Sequence, residues 1–317
     1  MTKLQTSIAV IIALVGVTTC GTTQTAQPSQ LFGAGWNSGQ DANEPAFQAQ
    51  NIDANTIVIR QSIRTSFEAP FLYLLFGEDK ALLIDTGVEG VDLRSEVDTH
   101  ITKWLAANGK TDTQLIVMHT HGHGDHIGGD SSFRDRPNTI IVEHTAENVA
   151  NYFGVENWPT GTGSIDLGDR TLEILPTPGH HDSHVMVFDA KTHTLFSGDT
   201  IYPGRLYFQC GKADMFQSSI ERVATFAASR DVRWVLGAHI EMTTQPGKAF
   251  EGQNKVRNGE HLLELPASIV GDIQTALDDQ NGQFRVTSYD EFVLLPHPAD
   301  PTGMSPPDWC LSDASTN

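Results

Sequence analysis

Thr120-His121-Gly122-His123-Gly124-Asp125-His126-Ile127-Gly128-Gly129 packs three histidines and one aspartate into six residues. It follows Leu115-Ile116-Val117-Met118, an apolar run that reads as a buried strand. A turn of this composition at a strand end aims several imidazoles at one point. Neutral imidazoles and carboxylates together suit Zn²⁺ and similar ions. Gly122 and Gly124 let the backbone bend tightly between ligands.

Working outward, the same arrangement recurs three times with single residues. His180 follows Leu172-Glu173-Ile174-Leu175 and a Pro-Thr-Pro-Gly turn, Asp199 follows Thr194-Leu195-Phe196, and His239 follows Val232-Arg233-Trp234-Val235-Leu236. A lone histidine in such a place is ordinarily a surface or hydrogen-bonded residue. Four ligand-bearing strand ends in one chain instead point to a shared sheet edge.

The remaining pattern is of mixed type. Strands are expected at Thr56–Ile59, Phe71–Phe76, Ala81–Ile84 and Thr139–Val142, with a Val185–Phe188 and Thr194–Phe196 pair. Val97, Ile101, Trp104 and Leu105 recur at helical spacing, and Asn108-Gly109 closes that helix. Ala146 to Phe153 and a stretch near Ser268 to Leu277 also read as helical. Ser218-Ser219-Ile220-Glu221 has the form of a capping box before another helix. Strands with interspersed helices predict a layered α/β architecture.

Lys3 and the apolar residues 8–17 have the form of a secretory signal, too short to span a bilayer comfortably. Export is therefore expected, to the periplasm, to a membrane-anchored lipoprotein state or to the medium. Residues 1–19 would be the signal peptide, with Cys20 as a lipidated N-terminus and the membrane attachment. Residues 20–50, rich in Thr, Gln, Ser, Gly and Ala, read as a flexible tether. The folded domain is expected over 51–300 and an irregular tail over 301–317. An oxidising compartment permits a Cys210–Cys310 disulfide. Lys and Arg number 20 against 39 Asp and Glu, a net charge of −19. Such a surface repels phosphate backbones, so a small molecule rather than nucleic acid is the expected partner.

The ordered set Asp85-Thr86-Gly87, His121-x-His123-x-Asp125-His126, Thr177-Pro178-Gly179-His180, Ser197-Gly198-Asp199-Thr200 and Gly237-Ala238-His239 resembles the metallo-β-lactamase fold superfamily. The resemblance implies a four-layer αβ/βα sandwich with two metals at one edge. It implies that His121, His123 and His180 hold one Zn²⁺ and that Asp125, His126 and His239 hold a second, with Asp199 bridging. A hydroxide between two Zn²⁺ would then attack a polarised carbonyl, because zinc lowers the pKa of bound water to about 7. Asp125 would also orient that nucleophile, and Asp85 would brace the ligand loops. His181 and His184, which flank His180, have no counterpart in the motif and are expected to support the site or lie on the surface.

The bridging aspartate points away from a dedicated β-lactamase. Glyoxalase II relatives share it but are intracellular and carry a basic glutathione site, and no such cluster is visible here. Some lactonases of the superfamily carry a tyrosine three residues after the aspartate, and Tyr202 has that spacing. The sequence-based expectation is an exported dinuclear zinc hydrolase of esters or lactones, with Asp125 and Tyr202 as catalytic residues. Residues 202–208 would line an apolar pocket opposite Phe67 and Phe71. The alternatives are β-lactam hydrolysis, a mononuclear iron oxidoreductase of the same fold, and a non-catalytic binding lipoprotein.

Overall fold

A computed structural model describes residues 30–298 and 308–311. The expected signal peptide, the lipid site at Cys20 and most of the tail lie outside them. Among the described residues, no helix is long and apolar enough to cross a membrane.

The first sheet contains β1 (Phe47–Asp53), β2 (Thr56–Gln61), β3 (Phe71–Phe76), β4 (Lys80–Ile84), β5 (Gln114–Met118) and β6 (Thr139–Ile141), in that spatial order. Its first four strands pair antiparallel, and β4, β5 and β6 run parallel. The chain continues through β7 (Gly163–Asp166), β8 (Thr171–Pro176), β9 (Val185–Asp189), β10 (Thr194–Gly198), β11 (Arg205–Gln209), β12 (Trp234–Gly237) and β13 (Glu264–Pro266). The second sheet has the order β13-β12-β10-β9-β8-β7. A third, small sheet pairs β11 with β15 (Val293–His297) and then β14 (Thr287–Ser288).

Successive side chains of a strand point to opposite faces, so a strand buried on both sides reads as a continuous apolar run. In β3, Phe71, Tyr73 and Leu75 face the second sheet and meet Leu172, Ile174, Val187 and Phe196. Leu72, Leu74 and Phe76 face outward onto α1 (Leu93–Asn108), against Leu93, Val97, Ile101 and Trp104. The outer face of the second sheet, with Met186, Phe188, Leu195 and Val235, is covered by α4 (Ala213–Ser229) and α5 (Ile269–Asp279). The result is helix, sheet, sheet, helix, the four-layer sandwich expected. Two shorter helices, α2 (Gly124–Ile127) and α3 (Ala146–Phe153), lie between β5 and β7.

Several local expectations are corrected. Ordered packing begins well before residue 51. Phe32 is buried, Trp36 stacks edge-on against Phe71 with centroids 5.0 Å apart, and β1 starts at Phe47. The polar composition of this stretch concealed two aromatic anchors. Helix α4 starts at Ala213, so Ser218 to Glu221 lie inside it and form no capping box, and the Ser219 hydroxyl donates to the Pro178 carbonyl at 2.7 Å. Phe71, Leu206 and Phe208 are buried core residues.

Cys210 and Cys310 form a disulfide that closes a loop of sequence separation 100. It ties the C-terminal turn Asp308–Leu311 to the end of β11. A cross-link of this span restricts the unfolded chain, so Cys210→Ser with Cys310→Ser is expected to lose about 2–4 kcal/mol in denaturant unfolding. A loss below about 0.5 kcal/mol would contradict that role.

Candidate metal centre

Each ligand-bearing segment leaves a strand end on the same edge of the sandwich. β4 delivers Asp85, β5 delivers His119 to His126, β8 leads to His180, β10 to Asp199 and β12 to His239.

Two groups of side chains converge there, His121 with His123 and His180, and Asp125 with His126, Asp199 and His239. In the first, His121 Nε2 lies 2.8 Å from His123 Nδ1, and His180 Nε2 lies 3.2 and 3.1 Å from those two atoms. In the second, His126 Nε2 is 3.4 Å from both Asp125 Oδ2 and Asp199 Oδ1. His239 Nε2 is 3.3 Å from the same two oxygens. A tetrahedral ion with Zn–N bonds of about 2.0–2.1 Å needs neighbouring ligand atoms about 3.3–3.4 Å apart. The second group has that spacing and the first is slightly tighter, so both fit zinc.

Two atoms in the second group, His126 Nε2 and Asp199 Oδ1, are buried without any hydrogen-bond partner. Buried polar atoms are rarely left unsatisfied, and these two point at one shared position. The other Asp199 oxygen, Oδ2, turns to the first group, 3.7 Å from His180 Nε2 and 4.0 Å from His121 Nε2. One carboxylate thus faces both groups.

Supporting contacts fix which imidazole nitrogen is presented. His126 Nδ1 lies 2.8 Å from Asp85 Oδ2, His180 Nδ1 donates to the Tyr207 carbonyl at 2.9 Å, and His239 Nδ1 donates to the Glu68 carbonyl at 2.9 Å. In all three, Nε2 is left to face the centre, the usual second contact of a metal-binding histidine. Asp85 also accepts from the Thr120 backbone N–H at 2.7 Å and is fully buried, as a brace for the His121–His126 turn. Asp85 sits at φ 64°, a left-handed conformation that aspartate tolerates better than most residues. Arg257 donates to the carbonyls of Phe67 and Ile240 and so joins the loops on either side of His239.

The electrostatics of the two groups differ. Burial holds His121 well below its ordinary pKa, and neighbouring His126 and His180 lower it further. Burial likewise lowers His123, and it brings His180 to about 4. These three rings are neutral and ready to ligate. Burial also opposes charge on His126 and His239, but the carboxylates of Asp199 and Asp125, with Asp85 beside His126, outweigh it and raise both. The same cations depress Asp125 and Asp199 against the opposing effect of burial. Without a cation the second group is a buried cluster of balanced charges; a divalent ion would replace the protons on its two histidines.

His184 takes the supporting one of the two roles expected of it. Its Nε2 accepts the Asp199 backbone N–H at 3.1 Å, and its Nδ1 contacts Thr177 Oγ1 at 2.8 Å. It therefore holds the turn that carries the central carboxylate. Its spacing from His180, four residues on, was the only available signal. His119 turns away, 2.8 Å from Asp130 Oδ1, and His261 lies outside both groups.

Tyr202 departs from its expected role as a substrate contact. It is buried, its ring packs edge-on against His239 at 5.6 Å, and its hydroxyl donates to the Arg205 carbonyl, with Glu241 Oε2 at 3.4 Å. The hydroxyl is committed within the β10–β11 loop, so Tyr202 supports His239 through packing.

Residues 67–239 match the sequence model of the metallo-beta-lactamase superfamily. A hydroxyacylglutathione hydrolase of Pseudomonas putida strain F1 is 30% identical over 190 residues, 53% of this chain and 68% of that protein. The probable metallo-hydrolase YybB of Bacillus subtilis is 34% identical over 135 residues, 38% of this chain and 57% of that protein. Hydroxyacylglutathione hydrolases of Francisella tularensis subsp. novicida and Mesorhizobium japonicum are matched over 47% and 50% of their lengths, so the chain spans about half of these relatives. Among solved structures, the metallo-beta-lactamase DIM-1 aligns with a TM-score of 0.49 at 16% identity, over 74% of this chain and 98% of that one. The superfamily match covers the strand ends from Phe67 to His239 that carry both ligand groups, and the chain belongs to the metallo-beta-lactamase superfamily.

Proposed function

We propose that the chain is a dinuclear zinc hydrolase that cleaves an ester, lactone or related acyl bond. The observation that carries this reading is Asp199, with one oxygen turned to each ligand group. A carboxylate so placed holds two cations as one unit and suits acyl transfer at a shared centre. When bound, two zinc ions would supply Lewis-acid polarisation of the acyl oxygen and a water acidified toward neutrality.

The chain's own residues do the rest. His121, His123 and His180 present neutral nitrogens at one position, and His126 and His239 would do so at the other once a bound cation replaced their protons. Asp125 shares the second position and is only half-buried, so it stands between that group and the entering substrate. There it can orient the attacking water and accept its proton. Asp85 and His184 hold the turns that carry these ligands. Glu68 adds a negative side to the centre. Burial raises its carboxyl above the ordinary range, and Asp125, Glu241 and Asp199 push it further against the pull of His239.

Relatives named hydroxyacylglutathione hydrolase keep thioesters among the substrates to test. We also propose export, with an anchor at Cys20. The Cys210–Cys310 disulfide supports it, because such bonds persist in oxidising compartments.

The test is metal analysis joined to a substrate panel of lactones, aryl esters, thioesters, β-lactams and phosphodiesters. Two zinc ions per chain are expected, with turnover concentrated on the acyl substrates. A chelator should abolish that turnover, and added zinc should restore it. A single iron with oxygen consumption, or hydrolysis confined to β-lactams, would refute the proposal.

A further inference from the structure

His181 has no role in the chemistry above, yet it stands against the first ligand group. Its ring centroid is 5.0 Å from that of His123 and 5.6 Å from that of His121. A Cβ on Gly122 would lie 2.6 Å from His144 Cδ2 and 3.3 Å from His181 Cε1, so the absent side chain at 122 leaves room for both rings. His181 is half-buried.

The tautomer of His181 follows from its contacts. The Ser183 backbone nitrogen lies 3.2 Å from His181 Nδ1, and Ser183 Oγ lies 3.0 Å from the same atom. A backbone N–H can only donate, so Nδ1 must be the acceptor. In the neutral ring the proton is therefore on Nε2, the atom bonded to Cε1 on the edge nearest Gly122. That N–H has no hydrogen-bond partner among the described residues and is not sealed from solvent. The loop is held in place on its other side. Lys212 Nζ meets Asp182 at 2.8 Å, with only 12% of the lysine side chain exposed. The fold thus spends a backbone N–H, a hydroxyl and an ion pair on orienting one free donor beside the first ligand group.

We infer that His181 is a substrate-positioning residue whose Nε2–H receives a second oxygen acceptor of the acyl substrate, one near the scissile carbonyl but not part of it. The favoured class is acyl compounds with an ether, keto or hydroxyl oxygen on the acyl side. The opposite side of the centre carries the carboxylates of Glu68 and Glu241, which repel an oxygen acceptor. The substrate's oxygen-rich end would therefore lie toward His181, and its leaving group toward the Glu68 side. This inference rests on the acyl-hydrolase reading.

The test uses zinc-loaded enzyme and two esters of equal shape, phenyl methoxyacetate and phenyl butanoate, which differ by one ether oxygen in place of a methylene. His181→Phe keeps the ring and removes the donor, whereas His181→Gln returns an N–H near the Nε2 position. For methoxyacetate, His181→Phe should lose roughly ten-fold in kcat/KM, mostly through KM, the scale of one hydrogen bond. For butanoate the loss should be no more than about two-fold. His181→Gln should recover most of the difference, and both variants should keep the wild-type zinc content. Equal losses on both esters, no loss on either, or zinc depletion in both variants would overturn the inference. Absence of turnover by the zinc-loaded wild type on either ester would instead count against the acyl-hydrolase reading itself.

Discussion

Asp199→Asn is expected to remove at least one zinc per chain and to lower kcat/KM by more than about 100-fold. Replacing a residue that merely supports a ligand typically costs 10–100-fold in affinity or activity, and Asp199 belongs to the centre itself. Its Oδ1 is 3.4 Å from His126 Nε2 and 3.3 Å from His239 Nε2, and its Oδ2 faces His180 and His121. Asparagine has the same shape but a single acceptor oxygen. Whichever way the amide turns, an N–H₂ is aimed at one of the two groups, where a cation repels it. The anionic charge shared by both positions is also lost. The backbone should survive, because the Asp199 N–H remains held by His184. Metal analysis, kcat/KM and the melting temperature together check this. Two retained zinc ions with turnover within a few-fold of wild type would show that the carboxylate does not bridge.

The second large effect concerns stability. Asp189→Asn is expected to destabilise the fold by about 3–5 kcal/mol at pH 7, the usual loss when one partner of a buried ion pair is removed. Arg170 donates to Asp189 through Nε at 3.2 Å and through Nη2 at 2.6 Å, and both residues are buried. The same guanidinium donates to the Asn55 and Phe76 carbonyls and to Thr56 Oγ1, so it ties the second sheet to the first. Asparagine would leave a buried cation without its counter-charge. Burial pushes the Asp189 carboxyl upward, but the bonds and charge of Arg170, with Thr192 and the Lys191 N–H, outweigh it and hold it below the ordinary value. A depressed carboxyl stabilises the folded state fully above its unfolded pKa of about 3.9 and loses that contribution as pH falls through the lower folded value. The gap between wild type and variant in urea unfolding should therefore be widest at neutral pH and narrow below about pH 4. A gap that does not change with pH would contradict this account.

The residues of the centre were legible in the chain because each sits where an apolar strand ends, and strand ends are marked by hydrophobic runs and glycine turns. The helices α1, α3 and α5 were legible from the same periodicity. Other features were hidden for particular reasons. Phe32 and Trp36 lie in a stretch of Gln, Ser and Gly whose average composition reads as a tether, although two aromatic side chains suffice to anchor it on Phe71. Ser219 belongs to a four-residue pattern that also occurs inside helices, and only its bond to Pro178 shows what it does. Tyr202 has the spacing of a substrate contact, but spacing cannot tell where a hydroxyl points.

From the sequence alone come the identity and order of the metal-ligand candidates, the layered α/β class and the two cysteines able to pair, because local pattern encodes which residues leave buried strands together. Only the tertiary structure decided that Asp199 turns one oxygen to each group, that Tyr202 is committed to the Arg205 carbonyl, and that His181 carries its proton on Nε2. Each of these depends on the direction of a side chain and on the partner that the fold sets against it. Hydrogen-bond direction is set by which groups the fold brings face to face, a property of packing that no local stretch contains.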